Sequence, residues 1–107
     1  MNTEMVARVR DSLPPRLNAG ILMGDGGCCI LGWMITLAGF HPITIYANTN
    51  AVVDQHRGGP AIDVVAREYG LDRDVVVELA RLNDRTPTPQ RNDAVRARLT
   101  EILEGKA

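Results

Sequence analysis

Gly26 to Phe40 reads GGCCILGWMITLAGF. No side chain in it is charged, and it holds both cysteines with the single tryptophan and the single phenylalanine. Its body, Ile30 to Gly39, predicts a short helix that is apolar almost all round. Such a helix belongs in the middle of a core, with amphipathic neighbours each laying one face against it. The stretch therefore decides the fold class: a mainly α domain of four to five short helices packed around a central apolar helix. A small β-hairpin is expected to lead into that helix.

Toward the C-terminus the signals are regular. Pro60 suits the start of a helix, and Ile62, Val65, Ala66 and Tyr69 give the i, i+3, i+4, i+7 stripe of a buried face. Gly70 stops that helix. Asp72 is placed to cap the next one, with Leu71 and Val76 as a hydrophobic staple. Val75, Val76, Leu79 and Leu82 are its expected buried face, and Asn83-Asp84 its expected end. Thr86-Pro-Thr-Pro89 predicts a stiff connector, with Thr88 as cap and Pro89 as first helical residue. The last helix then runs to about Glu104, burying Val95, Leu99, Ile102 and Leu103.

Toward the N-terminus, residues 3 to 12 predict a short amphipathic helix with Met5, Val6 and Val9 inward, ended by Pro14 and Pro15. Ile21-Leu-Met23 followed by Gly24-Asp-Gly-Gly27 is the hairpin signal. His41-Pro42 closes the central helix. Ile43 to Ala47 alternates like a short strand or an extended loop, and Asn50 is placed to cap a turn of helix ending at Gly58-Gly59.

The totals set limits. A chain of 107 residues with 45% apolar and 23% charged residues predicts one globular domain, residues 1–107, with one core. Twelve basic against thirteen acidic residues give a net charge of −1, which argues against a strongly electrostatic partner. The N-terminus has no apolar run of signal-peptide kind. The central apolar run is shorter than the ~20 residues that span a bilayer. The expectation is a cytoplasmic protein, not engaged with membranes and of open oligomeric state. Cys28 and Cys29 are adjacent, a spacing in which a mutual disulfide is strained.

Several constellations carry chemistry. Ala66 to Leu79 fits a helix-turn-helix: a small residue, then glycine four later, then apolar residues six and nine beyond it. A DNA reader would present Arg73, Val77 and Arg81, yet Asp72, Asp74 and Glu78 flank them, a poor footprint beside phosphate. Cys28, Cys29, His41 and His56 are soft ligands, but adjacent cysteines do not match zinc spacing; the two thiols are expected to be buried as small hydrophobes, and no metal or cofactor is expected. A cysteine nucleophile with histidine as base and Asp54 as orienter is a further reading. In its favour, a helix start lowers a thiol pKa. Gly24-Asp-Gly-Gly27 lacks the lysine and spacing of a phosphate-binding loop. Asn83 and Asp84 are expected to order the connector through nearby amides.

Gly24-Asp-Gly-Gly27 leading into Cys29-Ile-Leu-Gly32, then a helical pair ending Leu82-Asn83-Asp84, a threonine-marked turn and a final amphipathic helix form an ordered set. Over roughly residues 17 to 104 this order resembles a family of small uncharacterised proteins of bacteria, especially actinobacteria, and their phages. Its members typically show a Cys-x-x-Gly-Ala helix start and a Trp-Asn-Asp motif before the last helix. Here Trp33 stands where alanine is usual and Leu82 where tryptophan is usual. The resemblance implies a fold and a genomic setting, and no established activity.

The sequence thus points to a non-enzymatic protein-interaction module, in the setting of a phage or mobile element. Its partner is expected to be another protein. Loops on a rigid scaffold carry recognition, so Tyr46, Asn48, Asn50, Gln55 and Arg57 are the candidate contact residues. The alternatives are a helix-turn-helix regulator using Arg73, Val77 and Arg81, and a cysteine-dependent enzyme.

Overall fold

The computed structural model describes residues 1–19, 27–40 and 60–105. They form α1 (Thr3–Asp11), α2 (Ile30–Leu37), α3 (Ala61–Tyr69), α4 (Arg73–Arg85) and α5 (Arg91–Leu103). The fold is mainly α. Each helix falls where the apolar periodicity placed one.

Local chemistry sets the helix ends. The Asn2 carboxamide oxygen accepts from the Met5 amide at 3.1 Å and caps α1. Gly70 closes α3 in the left-handed region at φ 64°, with the Leu71 amide donating to the Ala66 carbonyl at 3.0 Å. A β-carbon at Gly70 would stand 3.1 Å from the Cα of Met1. Glycine is thus required twice there, by the turn and by the approach of the N-terminal residue. The neighbouring Asn2 amide donates to the Tyr69 carbonyl at 2.9 Å.

α2 packs most extensively on α3, and also on α4 and α1; α5 lies on α1 and α4. Ile30, Leu31, Gly32, Met34 and Ile35 are buried, whereas Trp33, Thr36 and Leu37 are half-buried. The expectation of a helix enclosed all round is corrected in this respect. One side of α2 stays at the edge of the core, and the helix ends at Leu37, with Ala38 and Gly39 in the following turn. Tyr69 is fully buried and its hydroxyl donates to the Met34 carbonyl at 2.5 Å, tying the end of α3 to the middle of α2.

Further corrections follow from side chains that act at a distance. No strand occurs among the described residues, so the hairpin is not found; its Ile21–Met23 limb and most of its turn lie outside them. One ladder-like bond remains, from the Asn18 amide to the Cys28 carbonyl at 2.9 Å. The backbone groups of Leu17, and the Asn18 carbonyl, bond instead to side chains from α4 and α5. Asp72 stands at the start of α4 without making a side-chain cap. α4 runs on to Arg85 because Asn83 points inward rather than ending the helix. α5 begins at Arg91, not Pro89, and the Thr88 hydroxyl meets the Arg91 guanidinium instead of capping the helix. The Ile43–Ala47 and Asn50–Gly59 segments lie outside the described residues.

Candidate functional site

Val76, Leu79 and Asn83 are the buried residues of α4, at i, i+3 and i+7. An asparagine therefore occupies the helix's apolar stripe. Asn83 is completely buried, so each polar atom needs a partner. Its Oδ1 accepts from the Ile30 amide at 3.1 Å, and its Nδ2 donates to the Asn18 carbonyl at 2.9 Å and to Asp84 Oδ1 at 3.1 Å. The Ile30 amide is an orphan donor of the first turn of α2. Cys29, which stands at the N-cap, makes no cap bond there, so Asn83 supplies it from 53 residues away. Cys29-Ile30 and Asn83-Asp84, far apart in sequence, meet at one joint.

The first turn of α5 completes the arrangement. Arg91, 9% exposed, donates through Nε to the Asn83 carbonyl at 2.7 Å. Its Nη1 donates to the Leu17 carbonyl at 2.9 Å and to Thr88 Oγ1 at 3.1 Å. Asn92 accepts from the Leu17 amide at 2.9 Å and donates to the Pro14 carbonyl at 2.8 Å. Three side chains thus fasten the Pro14–Asn18 segment and the start of α2 to the α4–α5 joint. Beside this staple lies an open groove of about 310 Å³, between Pro15–Leu17 on one side and the Thr88–Pro89 turn on the other. Sequence reasoning placed Asn83 and Asp84 in local capping and passed over Arg91 and Asn92. A signal existed: Arg91, Val95, Leu99 and Ile102 are the buried residues of α5, so arginine continues an apolar stripe just as Asn83 does.

The thiols are buried, as small hydrophobes are, and the features expected of a cysteine nucleophile are missing from them. Cys28 and Cys29 are both buried and unbridged. Burial pushes the Cys28 thiol up to about 11, and the neighbouring Cys29 adds to this. Burial also raises Cys29; the Gly32 and Leu31 amides pull it down in part, and Asp84 pushes it up. Position at a helix start does not activate either sulfur: desolvation is the largest influence on both, and at Cys29 it outweighs the backbone hydrogen bonds. His41, His56 and Asp54 lie outside the described residues. Among the described residues there is no group of three or more His, Cys, Asp or Glu side chains fit to hold a metal ion.

α3 and α4 are joined through Gly70 in the left-handed region. Arg73 is exposed but donates to Asp63 at 3.0 Å, Val77 is half-buried, and Arg81 is exposed. Glu78 is ion-paired with Arg98 of α5. Tyr46, Asn48, Asn50, Gln55 and Arg57 lie outside the described residues. No helix among the described residues is long and apolar enough to cross a membrane. In comparison with known proteins, no family model, curated protein or solved structure matches the chain.

Proposed function

We propose that this chain is a non-enzymatic protein-interaction module, one that holds a partner and does not transform a substrate. The observation that carries the reading is the use made of the polar side chains at the joint. Asn83, Arg91 and Asn92 bond mainly to backbone groups of the chain itself, the work of a scaffold, and the thiols nearby are held protonated. A rigid frame with a groove and long connecting segments suits recognition. Tyr46, Asn48, Asn50, Gln55 and Arg57 are proposed as contact residues, with a phage or mobile element as the setting. The test is affinity capture with the wild-type chain and with a Tyr46→Ala/Arg57→Glu variant of unchanged circular dichroism. A protein held by the first and lost by the second supports the reading; repeated empty or identical captures count against it.

A second reading, a DNA-binding regulator using Arg73, Val77 and Arg81, is favoured by the left-handed Gly70 turn between α3 and α4. Anisotropy of a labelled mixed-sequence duplex tests it. Binding that weakens steeply with salt supports a regulator, and no binding at low salt removes it, since phosphate contacts survive there.

A further inference from the structure

Among the described residues, Arg91 is a buried cation with no carboxylate partner. The residue is nine-tenths buried, yet its three hydrogen-bond acceptors, the Asn83 and Leu17 carbonyls and the Thr88 hydroxyl, are all neutral. It takes part in none of the ion pairs among the described residues. A guanidinium removed from water is costly without an anion. Its remaining nitrogen, Nη2, makes no hydrogen bond among the described residues. Trp33 Nε1 is the one side-chain nitrogen or oxygen among them that is both sealed from solvent and unpartnered, so Nη2 keeps access to solvent.

Arg91 lines the groove of about 310 Å³, and exposed Arg16 lines it as well. α5 starts at the same place, and Gln90 gives its first turn no side-chain cap, which leaves backbone donors there as well. Pro15 and Pro89 supply apolar flanks. Two cations, one of them immobilised by three bonds, face a cleft wide enough for one or two residues of a peptide.

We infer that this groove is an anion subsite that seats a carboxylate of a peptide partner between Arg16 and Nη2 of Arg91. The inference rests on the protein-interaction reading above and names the chemistry of the partner. A singly charged carboxylate is favoured over a doubly charged phosphate because Asp93, exposed in the first turn of α5 and ion-paired with Arg96, sets a carboxylate near the same helix start. The prolines suit an apolar side chain next to the carboxylate. Nη2 gives a single charge-assisted bond, and Arg16, free to reorient, supplies the planar fork.

The experiment is an NMR titration of the full chain, observing the Arg91 Nε–Hε and Asn92 amide signals. The probes are N-acetyl-leucine, its neutral amide, the α-amide of N-acetyl-aspartate (free only at its side-chain carboxylate) and inorganic phosphate. The expected result is saturable shifts with a carboxylate probe, at a Kd on the order of millimolar, and none with the neutral amide. Saturation by the first probe identifies a chain-terminal carboxylate, and by the third an acidic side chain. Arg16→Gln, which removes an exposed side chain, is expected to weaken binding on the order of tenfold with an unchanged melting temperature. Absence of saturation with either carboxylate overturns the inference, as does equal binding of the neutral amide, tighter binding of phosphate, or unchanged affinity of Arg16→Gln. A chain that captures its protein partner while ignoring both carboxylates loses the subsite and keeps the interaction reading.

Discussion

The two ends of α2 are held by opposite means. Around Met34 and Ile35 the helix is embedded among Val6, Ile62, Val65 and other fully buried apolar side chains, where cohesion is non-directional and scales with area. The one polar bond there, from the Tyr69 hydroxyl to the Met34 carbonyl, is an addition to that packing. At its N-terminus the helix meets Asn83, and through it Asn18, Arg91 and Leu17. There each group has one partner in one direction. The apolar end tolerates changes of shape better than changes of volume; the polar end tolerates neither loss of a donor nor loss of an acceptor.

The largest effect is expected in the apolar half. Ile35→Ala leaves a cavity at a site with no exposed surface and is expected to cost about 2–5 kcal/mol, measured by denaturant unfolding. Asn83→Ala comes next. It orphans the Ile30 amide and the Asn18 carbonyl and is expected to cost about 2–3 kcal/mol, with faster hydrogen exchange at Ile30. Equal or smaller loss for Asn83→Leu would show that the joint works by volume, erasing the contrast between the two ends.

A third test uses pH. Cys28 is raised from 9.0 to about 11, so the folded state keeps its proton when the unfolded chain has released it. Its contribution to stability is complete below pH 9 and is lost as pH climbs toward 11. Wild type minus Cys28→Ala is expected to fall by ~2 kcal/mol over that window, and alkylation at neutral pH is expected to be slow. A flat difference would mean that the thiol is solvated. The smallest effect is expected for Tyr69→Phe, about 1 kcal/mol, since the ring and its packing remain.

Much of this was legible in the chain. The five helices follow from stripes such as Ile62, Val65 and Tyr69, and the break at Gly70 from the left-handed turn only glycine adopts freely. The candidate site was less legible. Asn83 beside Asp84 has the composition of a turn, and short-range capping is the commoner use of such a pair; nothing within a few residues of it announces a partner at Ile30. The hairpin is not found among the described residues, and its flank at Leu17 and Asn18 is committed elsewhere. Leu17 and Asn18 bond to side chains more than 60 residues away, and those take the groups that a strand ladder would have used.

Periodicity and punctuation are local properties, written into residues three or four apart, and they determined the helices and their inward faces. Which helix end meets which side chain depends on how those faces dock. Only the tertiary structure therefore decided that Asn83 completes the first turn of α2, and that Arg91 lies buried among neutral acceptors at the edge of a groove. It also decided that the two cysteines at a helix start are silenced by burial, because desolvation is set by everything packed around a group and not by its place in the chain.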